Sequence, residues 1–110
     1  MKNIGRILNV ALAMTAAVGT TVWAADAVAG KAVYAKKCQT CHGPEGQGNP
    51  GMAKALNLVF KELGSADTQK KSDADLKKII TEGSGKMKAV TSLMPAEVDN
   101  VVAHMRSLKK

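Results

Sequence analysis

CQTCHG, residues 38–43, contains both cysteines of the chain and one of its two histidines. Cys38 and Cys41 lie three positions apart, which is about one turn of a helix, and His42 follows the second thiol directly. The chemistry that needs two thiols and an imidazole at this spacing decides what kind of domain surrounds them.

The first 24 residues have the layout of a secretory signal peptide. Two basic residues precede an uncharged, mostly apolar run, which ends in small residues. We expect cleavage after Ala24, or as late as Ala27, and a periplasmic domain of residues 25–110. The alternative is an uncleaved anchor, because residues 7–25 form 19 positions without charge. Membrane contact is expected only in that case.

The domain left after cleavage is small and basic. Removing residues 1–24 with their two positive charges lowers the formal net charge from +7 to +5. Tyr34 and Phe60 are then the only aromatic residues. So few large side chains bury too little surface to stabilise a small domain without a covalent or metal-dependent staple. Nucleic acid is not expected as a partner, because the chain has no recognition motif.

Four kinds of site compete for the motif. A disulfide between Cys38 and Cys41 closes a very short loop and restrains little of the unfolded chain. A thioredoxin-like redox pair needs a preceding strand, where this sequence indicates a helix. A zinc site would recruit His104 as fourth ligand, but adjacent Cys41 and His42 depart from the usual ligand spacing. Covalent haem attachment uses all three groups and is favoured, because the thiols add to the vinyl groups and the imidazole binds iron.

The rest of the sequence predicts an all-α domain, with three to four helices around one haem. Apolar residues at helical spacing, with suitable end signals, predict helices over 27–38, 52–64, 72–83 and onward from Pro95. Residues 43–51, rich in Gly and Pro, are predicted as loop, and the polar residues 65–71 as exposed chain.

Two apolar sets are expected in the interior. The inward face of the last helix is expected to consist of Val98, Val101, Val102, Met105 and Leu108. The residues expected to bury the haem are Val33, Leu56, Leu58, Phe60, Leu76, Ile79, Ile80, Val101 and Met105.

With the motif at the end of the first helix, the chain from about residue 26 to 109 resembles a class I c-type cytochrome. The resemblance rests on GKAVYAKKCQTCHGPEGQG, DLKKIITEGSGKM and VDNVVAHMRSL. It implies a small cytochrome c-like fold, thioether bonds from haem c to Cys38 and Cys41, and His42 as the proximal iron ligand.

The family's second iron ligand is usually a Met on the loop between the last two helices. Met87 in GSGKMKAV has this position, although Lys88 follows it where the family usually has Pro. Met94 is the alternative, because Pro95 follows it. Met94 is expected to cap the last helix, where Pro95 has an ordinary structural role. We therefore expect Met87 to be the distal ligand.

Two further roles follow from the resemblance. His104 lies where the family's last helix usually carries an aromatic residue that packs near a glycine of the first helix, here Gly30. We expect packing at this place rather than iron ligation. A ligating histidine normally donates its other N–H to a carbonyl, and the carbonyl of Pro50 is expected to accept it from His42.

The resemblance implies a monomeric one-electron carrier with a low-spin His/Met haem c, and no enzyme activity. Its expected partners are acidic redox proteins, such as a reductase, an oxidase or other cytochromes. Lys36, Lys37, Lys86 and Lys88 are expected either to form a docking patch or to be ordinary solvated residues. The alternatives are a haem-based small-ligand sensor and a fixed redox subunit of a larger oxidoreductase complex.

Overall fold

The structure is a computed structural model that describes residues 25–110 of the chain. The expected signal peptide, residues 1–24, lies outside the described residues. Residues 25–110 form an all-α domain, as expected, in which the one β-type pairing is a bridge between Ser84 and Met87. The helices are α1 (Ala27–Lys37), α2 (Gln39–His42), α3 (Pro50–Leu56), α4 (Ala66–Gln69), α5 (Asp73–Glu82) and α6 (Pro95–Ser107).

Helices α1 and α6 cross in direct backbone contact. Asp26 caps α1 by accepting hydrogen bonds from the first-turn amides of Val28 and Ala29. A Cβ atom on Gly30 would lie 1.8 Å from the backbone oxygen of Asn100. Only a glycine lets the two backbones approach this closely, so Gly30 sets the separation of the two helices.

The predicted starts of α5 and α6 are confirmed. Ser72 caps α5 by accepting a hydrogen bond from the amide of Asp75 at 3.1 Å, and Pro95 opens α6. Leu76 and Ile80 are the buried residues of α5. They share a core with α1 and with four of the five residues predicted for the inward face of α6. The members of this core are Tyr34, Leu63, Leu76, Ile80, Val98, Val101, Val102 and Met105. Leu108, the fifth predicted residue, is partly buried against it.

The structure has six helices over residues 25–110 where three to four were expected. The two additional ones, α2 and α4, are single turns of four residues each. The predicted helix over 52–64 is confirmed only as far as Leu56, because α3 begins at Pro50 and ends at Leu56. Asn49 caps its start, and Asn57 takes the left-handed conformation at φ 51° that ends it.

The prediction that residues 65–71 are exposed chain is only partly right. Thr68 is buried, and its hydroxyl donates to the carbonyl of Glu62 at 3.1 Å. Gln69 donates to the carbonyls of Leu63 and Met105, which fixes the segment against α6. Among residues 25–110, no helix is long and apolar enough to cross a bilayer.

Candidate cofactor site

The motif residues lie at a break between two helices. Helix α1 ends at Lys37, Cys38 forms the junction, and the single turn α2 carries the rest of the motif. The amides of Cys41 and His42 both donate to the carbonyl of Cys38, at 3.2 and 2.9 Å. The next residue, Gly43, has φ 76° and ends the turn. The two thiols and the imidazole are thereby held on one turn.

The loop after the motif folds back on it. The amides of Gly48 and Asn49 donate to the carbonyls of His42 and Cys41, at 2.7 and 2.8 Å. The Tyr34 hydroxyl donates to the carbonyl of Gly43 at 2.5 Å. These bonds attach the motif to both α1 and the following loop.

A cavity of about 950 Å³ opens beside this turn. Its volume is at the upper end of the roughly 300–1,000 Å³ usual for small-molecule and cofactor sites. Cys38, Cys41, His42 and Met87 all line it. Met94 and His104 do not: Met94 is 64% exposed at the start of α6, and His104 is buried in the core.

The wall of the cavity is largely the predicted apolar set. Eight of the nine residues expected to bury the haem line it: Leu56, Leu58, Phe60, Leu76, Ile79, Ile80, Val101 and Met105. Val33 is the exception, because it packs against the helical core instead.

Positive charge is the second feature of the cavity lining. Five lysines line the cavity, and no aspartate or glutamate does: Lys37, Lys61, Lys71, Lys86 and Lys88. Such a lining suits a largely apolar molecule that also carries carboxylate groups, as haem does.

His42 is half-buried, and its Nδ1 atom is buried without a hydrogen-bond partner in residues 25–110. The expected bond to the carbonyl of Pro50 is therefore wrong. Pro50 is exposed at the first position of α3, and its carbonyl accepts no hydrogen bond from His42. The His42 ring lies 5.6 Å from that of Phe60, and burial lowers the pKa of the imidazole. A neutral imidazole keeps a lone pair for a metal.

Met87 lies on a tight turn after α5. Its amide donates to the carbonyl of Ser84 at 2.9 Å, and its carbonyl accepts from the Ser84 amide at 3.0 Å. Gly83 permits this turn, because it has φ 81° and a Cβ there would lie 2.7 Å from the carbonyl oxygen of Met87. The turn brings Met87 to the cavity.

The competing kinds of site find little support in this geometry. No disulfide joins Cys38 and Cys41, and burial together with the nearby Cys41 raises the pKa of the Cys38 thiol to about 11. A reactive redox pair needs a thiol whose pKa is lowered. No group of three or more His, Cys, Asp or Glu side chains suited to a metal ion occurs within residues 25–110. His104 in particular does not line the cavity on which Cys38, Cys41 and His42 lie.

Comparison with known proteins identifies the family. The family described as "Cytochrome C oxidase, cbb3-type, subunit III" matches residues 25–105. The chain is 34% identical over 110 residues to cytochrome c6 of Picosynechococcus sp., covering 96% of this chain and 92% of that protein. It is 34% identical over 94 residues to cytochrome c-554(547) of Halothiobacillus neapolitanus, covering 78% of this chain and 100% of that protein. The chain is a small class I c-type cytochrome.

The solved structure of a similar protein agrees with this assignment. The KustC0563 c-type cytochrome superposes with a TM-score of 0.64 at 31% identity, over 74% of this cytochrome and 98% of that chain. The fold is thus the cytochrome c-like fold that the sequence predicts. As a member of the family, the cytochrome carries a covalently bound haem c and acts as an electron carrier. The volume, apolar wall and lysines of the cavity fit that group.

Several cavity residues were not expected from the sequence. Tyr34, Lys61, Lys71 and Met52 line the cavity, although none had been given a role there. A signal existed for Tyr34, because it is one of two aromatic residues left outside residues 1–24, and both line the cavity. No comparable signal existed for the two lysines, which lie in segments whose local structure was predicted wrongly.

Proposed function

We propose that this cytochrome carries single electrons between redox proteins, with haem linked to Cys38 and Cys41 and iron bound by His42 and Met87. The observation that supports this most is that all four side chains line the same cavity. The two thiols and the imidazole come from one turn of chain, whereas Met87 comes from a separate loop after α5.

The roles of the residues follow from their chemistry. When bound, the haem supplies one-electron exchange at its iron. Neutral His42 and the thioether of Met87 would both hold the iron, which would leave no ligand position for a substrate and argues against an enzyme. The apolar wall keeps water away and disfavours the more highly charged oxidised state, and a thioether ligand acts in the same direction. Both effects raise the reduction potential.

The proposal assigns partner recognition to the open side of the cavity. Lys37, Lys86 and Lys88 are exposed and line the cavity, and Val59, an apolar residue that is 92% exposed, lines the same cavity. Lys36 is also exposed but is not part of the lining. Positive charge around an apolar contact favours fast, salt-sensitive encounter with acidic redox proteins.

The proposed working form is a periplasmic monomer of residues 25–110, released by cleavage after Ala24. The support is the signal-like layout of residues 1–24 and the family match, which begins at residue 25. Mass spectrometry of the exported haem protein tests this directly. A mass that includes residues 1–24 would contradict it.

The ligand assignment is tested by the absorption spectrum of the oxidised holoprotein and two methionine variants. Wild type and Met94→Ala are expected to show a low-spin c-type spectrum with the weak far-red band of sulfur-to-iron coordination. Met87→Ala is expected to lose that band. A band that survives in Met87→Ala, or that disappears in Met94→Ala, contradicts the assignment. A wild type without the band supports a small-ligand sensor instead.

A second candidate is a fixed redox subunit of a larger oxidoreductase complex. The family description, which names a subunit of an oxidase, favours it. The two functions predict different behaviour when the protein is purified from its native source. A diffusing carrier is expected to elute as a monomer, whereas a fixed subunit is expected to remain with its partner at about 0.15 M ionic strength, where exposed charge pairs are largely screened.

A further inference from the structure

One lysine links the Met87 turn to a distant part of the fold. The Nζ atom of Lys86 donates to the carbonyl of Leu56 at 2.8 Å and to the carbonyl of Asn57 at 3.0 Å. Leu56 is the last residue of α3, and Asn57 is its left-handed cap. Leu56 and Lys86 both line the cavity. The lysine side chain thus joins two segments of the cavity edge that lie about 30 positions apart in sequence.

The two carbonyls are good acceptors for an ammonium group. The last carbonyls of a helix have no partner within the helix and carry the negative end of its dipole. Within residues 25–110, the Lys86 Nζ atom is the hydrogen-bond donor to Leu56 O and Asn57 O. The contact therefore satisfies both carbonyls at the end of α3 and uses the charge of Lys86.

The Met87 turn has little else to hold it in place. The Ser84–Met87 hydrogen bonds are internal to the turn, and a Cβ on Gly85 would meet nothing within 4 Å. The next backbone hydrogen bond to the body of the fold is from the Val90 amide to the Ile80 carbonyl. Lys88 follows Met87 where proline would stiffen the chain. Among residues 84–89, the hydrogen bonds that leave the turn are the two made by Lys86.

We propose that Lys86 is a positioning residue that keeps the Met87 turn closed against the end of α3 and so slows the replacement of Met87 by other iron ligands. The inference rests on the proposed ligation by Met87. The proposal gives different roles to two neighbouring lysines that the sequence alone does not distinguish. Lys86 holds the turn, whereas Lys88 makes no hydrogen bond or ion pair within residues 25–110.

The test is the binding of imidazole to the oxidised holoprotein, measured as loss of the far-red band. Imidazole can bind only when Met87 leaves, so its affinity and limiting rate report opening of the turn. Lys86→Ala is expected to increase both by about tenfold, the scale of one lost charge-assisted hydrogen-bond pair. Lys88→Ala removes the same charge from the same turn and is the matched control, with a change below about twofold expected. Lys86→Arg retains donors for both carbonyls and is expected to restore most of the wild-type behaviour.

A double-mutant cycle shows whether Lys86 acts through Met87. The Met87→Ala background lacks the far-red band, so imidazole binding is followed there by the shift of the main haem absorption band. In this background, Lys86→Ala should leave imidazole affinity unchanged. Equal effects of Lys86→Ala and Lys88→Ala, or an undiminished effect of Lys86→Ala in the Met87→Ala background, would overturn the positioning role alone. A far-red band that persists in Met87→Ala would overturn both this inference and the proposed ligation.

Discussion

The two histidines of the cytochrome have similar local surroundings but lie in different parts of the fold. Each has one buried ring nitrogen without a hydrogen-bond partner in residues 25–110, Nδ1 in His42 and Nε2 in His104. Each lies beside an aromatic ring, with centroids 5.6 Å from Phe60 and 4.9 Å from Tyr34. Burial lowers the pKa of both imidazoles. None of these properties tells the two residues apart.

The difference lies in what each ring faces. His42 lines the cavity from a single turn that also carries both thiols, whereas His104 is 5% exposed in the last turn of α6, packed against Tyr34 of α1. As predicted, His104 occupies the helix crossing. A buried histidine is therefore a good candidate ligand when a cavity adjoins it, and it is a packing residue with an unsatisfied nitrogen when helices enclose it.

The largest expected effect comes from deleting each imidazole in turn. His42→Ala is expected to abolish the low-spin spectrum, because the proposed proximal ligand is gone. His104→Ala is expected to keep the spectrum of the wild type, although it leaves a cavity in the core and lowers stability by about 2 kcal/mol or more. Absorption spectroscopy of the oxidised proteins measures the first property, and denaturant unfolding measures the second.

His42→Ala and His104→Ala also give the most direct test of the difference between the two histidines. A wild-type spectrum in His42→Ala would remove that residue from the iron. A changed axial spectrum in His104→Ala would show that the second histidine reaches the iron, contrary to its position in the core.

The next effect is confined to the crossing that holds His104. Gly30→Ala places a methyl group 1.8 Å from the backbone oxygen of Asn100. A backbone atom cannot avoid this contact by a side-chain rotation. We expect the free energy of unfolding to fall by about 3 kcal/mol or more, because the helices must separate. The far-red band should persist in the molecules that remain folded.

Gly51→Ala is the matched control for this substitution. Gly51 also lies in a helix, but a Cβ there would meet only the Oδ1 atom of Asn49 at 3.3 Å. Alanine is favoured over glycine in a helix by about 1 kcal/mol, so we expect little change or a small gain in stability. Equal destabilisation by the two variants would mean that close packing at the crossing is not the cause.

A smaller effect of opposite sign is expected from His104→Phe. The substitution removes the unsatisfied Nε2 atom and keeps a ring beside Tyr34. We expect a gain of about 1 kcal/mol in the free energy of unfolding, since a buried polar atom without a partner is unfavourable by about that amount or more. Loss of stability would indicate that the imidazole packs better than a phenyl ring can.

The same residue predicts how stability depends on pH. Burial, and then the positive charge of Lys31, lowers the pKa of His104 in the folded state. The unfolded chain, with an ordinary pKa near 6.5, therefore binds the proton first as the pH falls. Stability from this group is complete above about pH 6.5 and declines as the pH falls from there through the folded-state pKa. In His104→Phe this part of the decline should disappear, and an unchanged pH profile would contradict the assignment.

The sequence predicts the helical frame well because its end signals are local. Asp26, Ser72 and Pro95 act at helix starts through the hydrogen bonds and backbone angles expected of them. The error over 52–64 has a physical cause. Leu56, Leu58 and Phe60 belong to a segment that lines the cavity from irregular chain beyond Leu56, so the apolar spacing reflects contact with the cavity and not a continuous helix.

The candidate site was predictable to the extent that its residues lie close together in sequence. Cys38, Cys41 and His42 follow from one motif, and Met87 from the position of a loop. The Lys86 bonds to the end of α3 and the burial of Thr68 depend on where distant segments meet, which no local pattern encodes. The partner predicted for His42 at Pro50 was wrong as well, because Pro50 is the first residue of α3, a helix that the sequence predicted to begin only at residue 52.

The smallest expected effect comes from Tyr34, which contacts both His104 and the end of the motif beside His42. Its ring packs on His104, and its hydroxyl donates to the carbonyl of Gly43, next to His42. Tyr34→Phe keeps the ring and removes the hydrogen bond, while the Gly46 amide still donates to the same carbonyl at 3.3 Å. We therefore expect a loss of only about 0.5–1 kcal/mol in the free energy of unfolding.

Combining Tyr34→Phe with His104→Phe in a double-mutant cycle then measures whether the two ends of Tyr34 act independently. Additive effects would mean that the crossing and the motif are stabilised separately, whereas a coupling above about 0.5 kcal/mol would mean that packing at His104 helps to hold the hydroxyl on the motif.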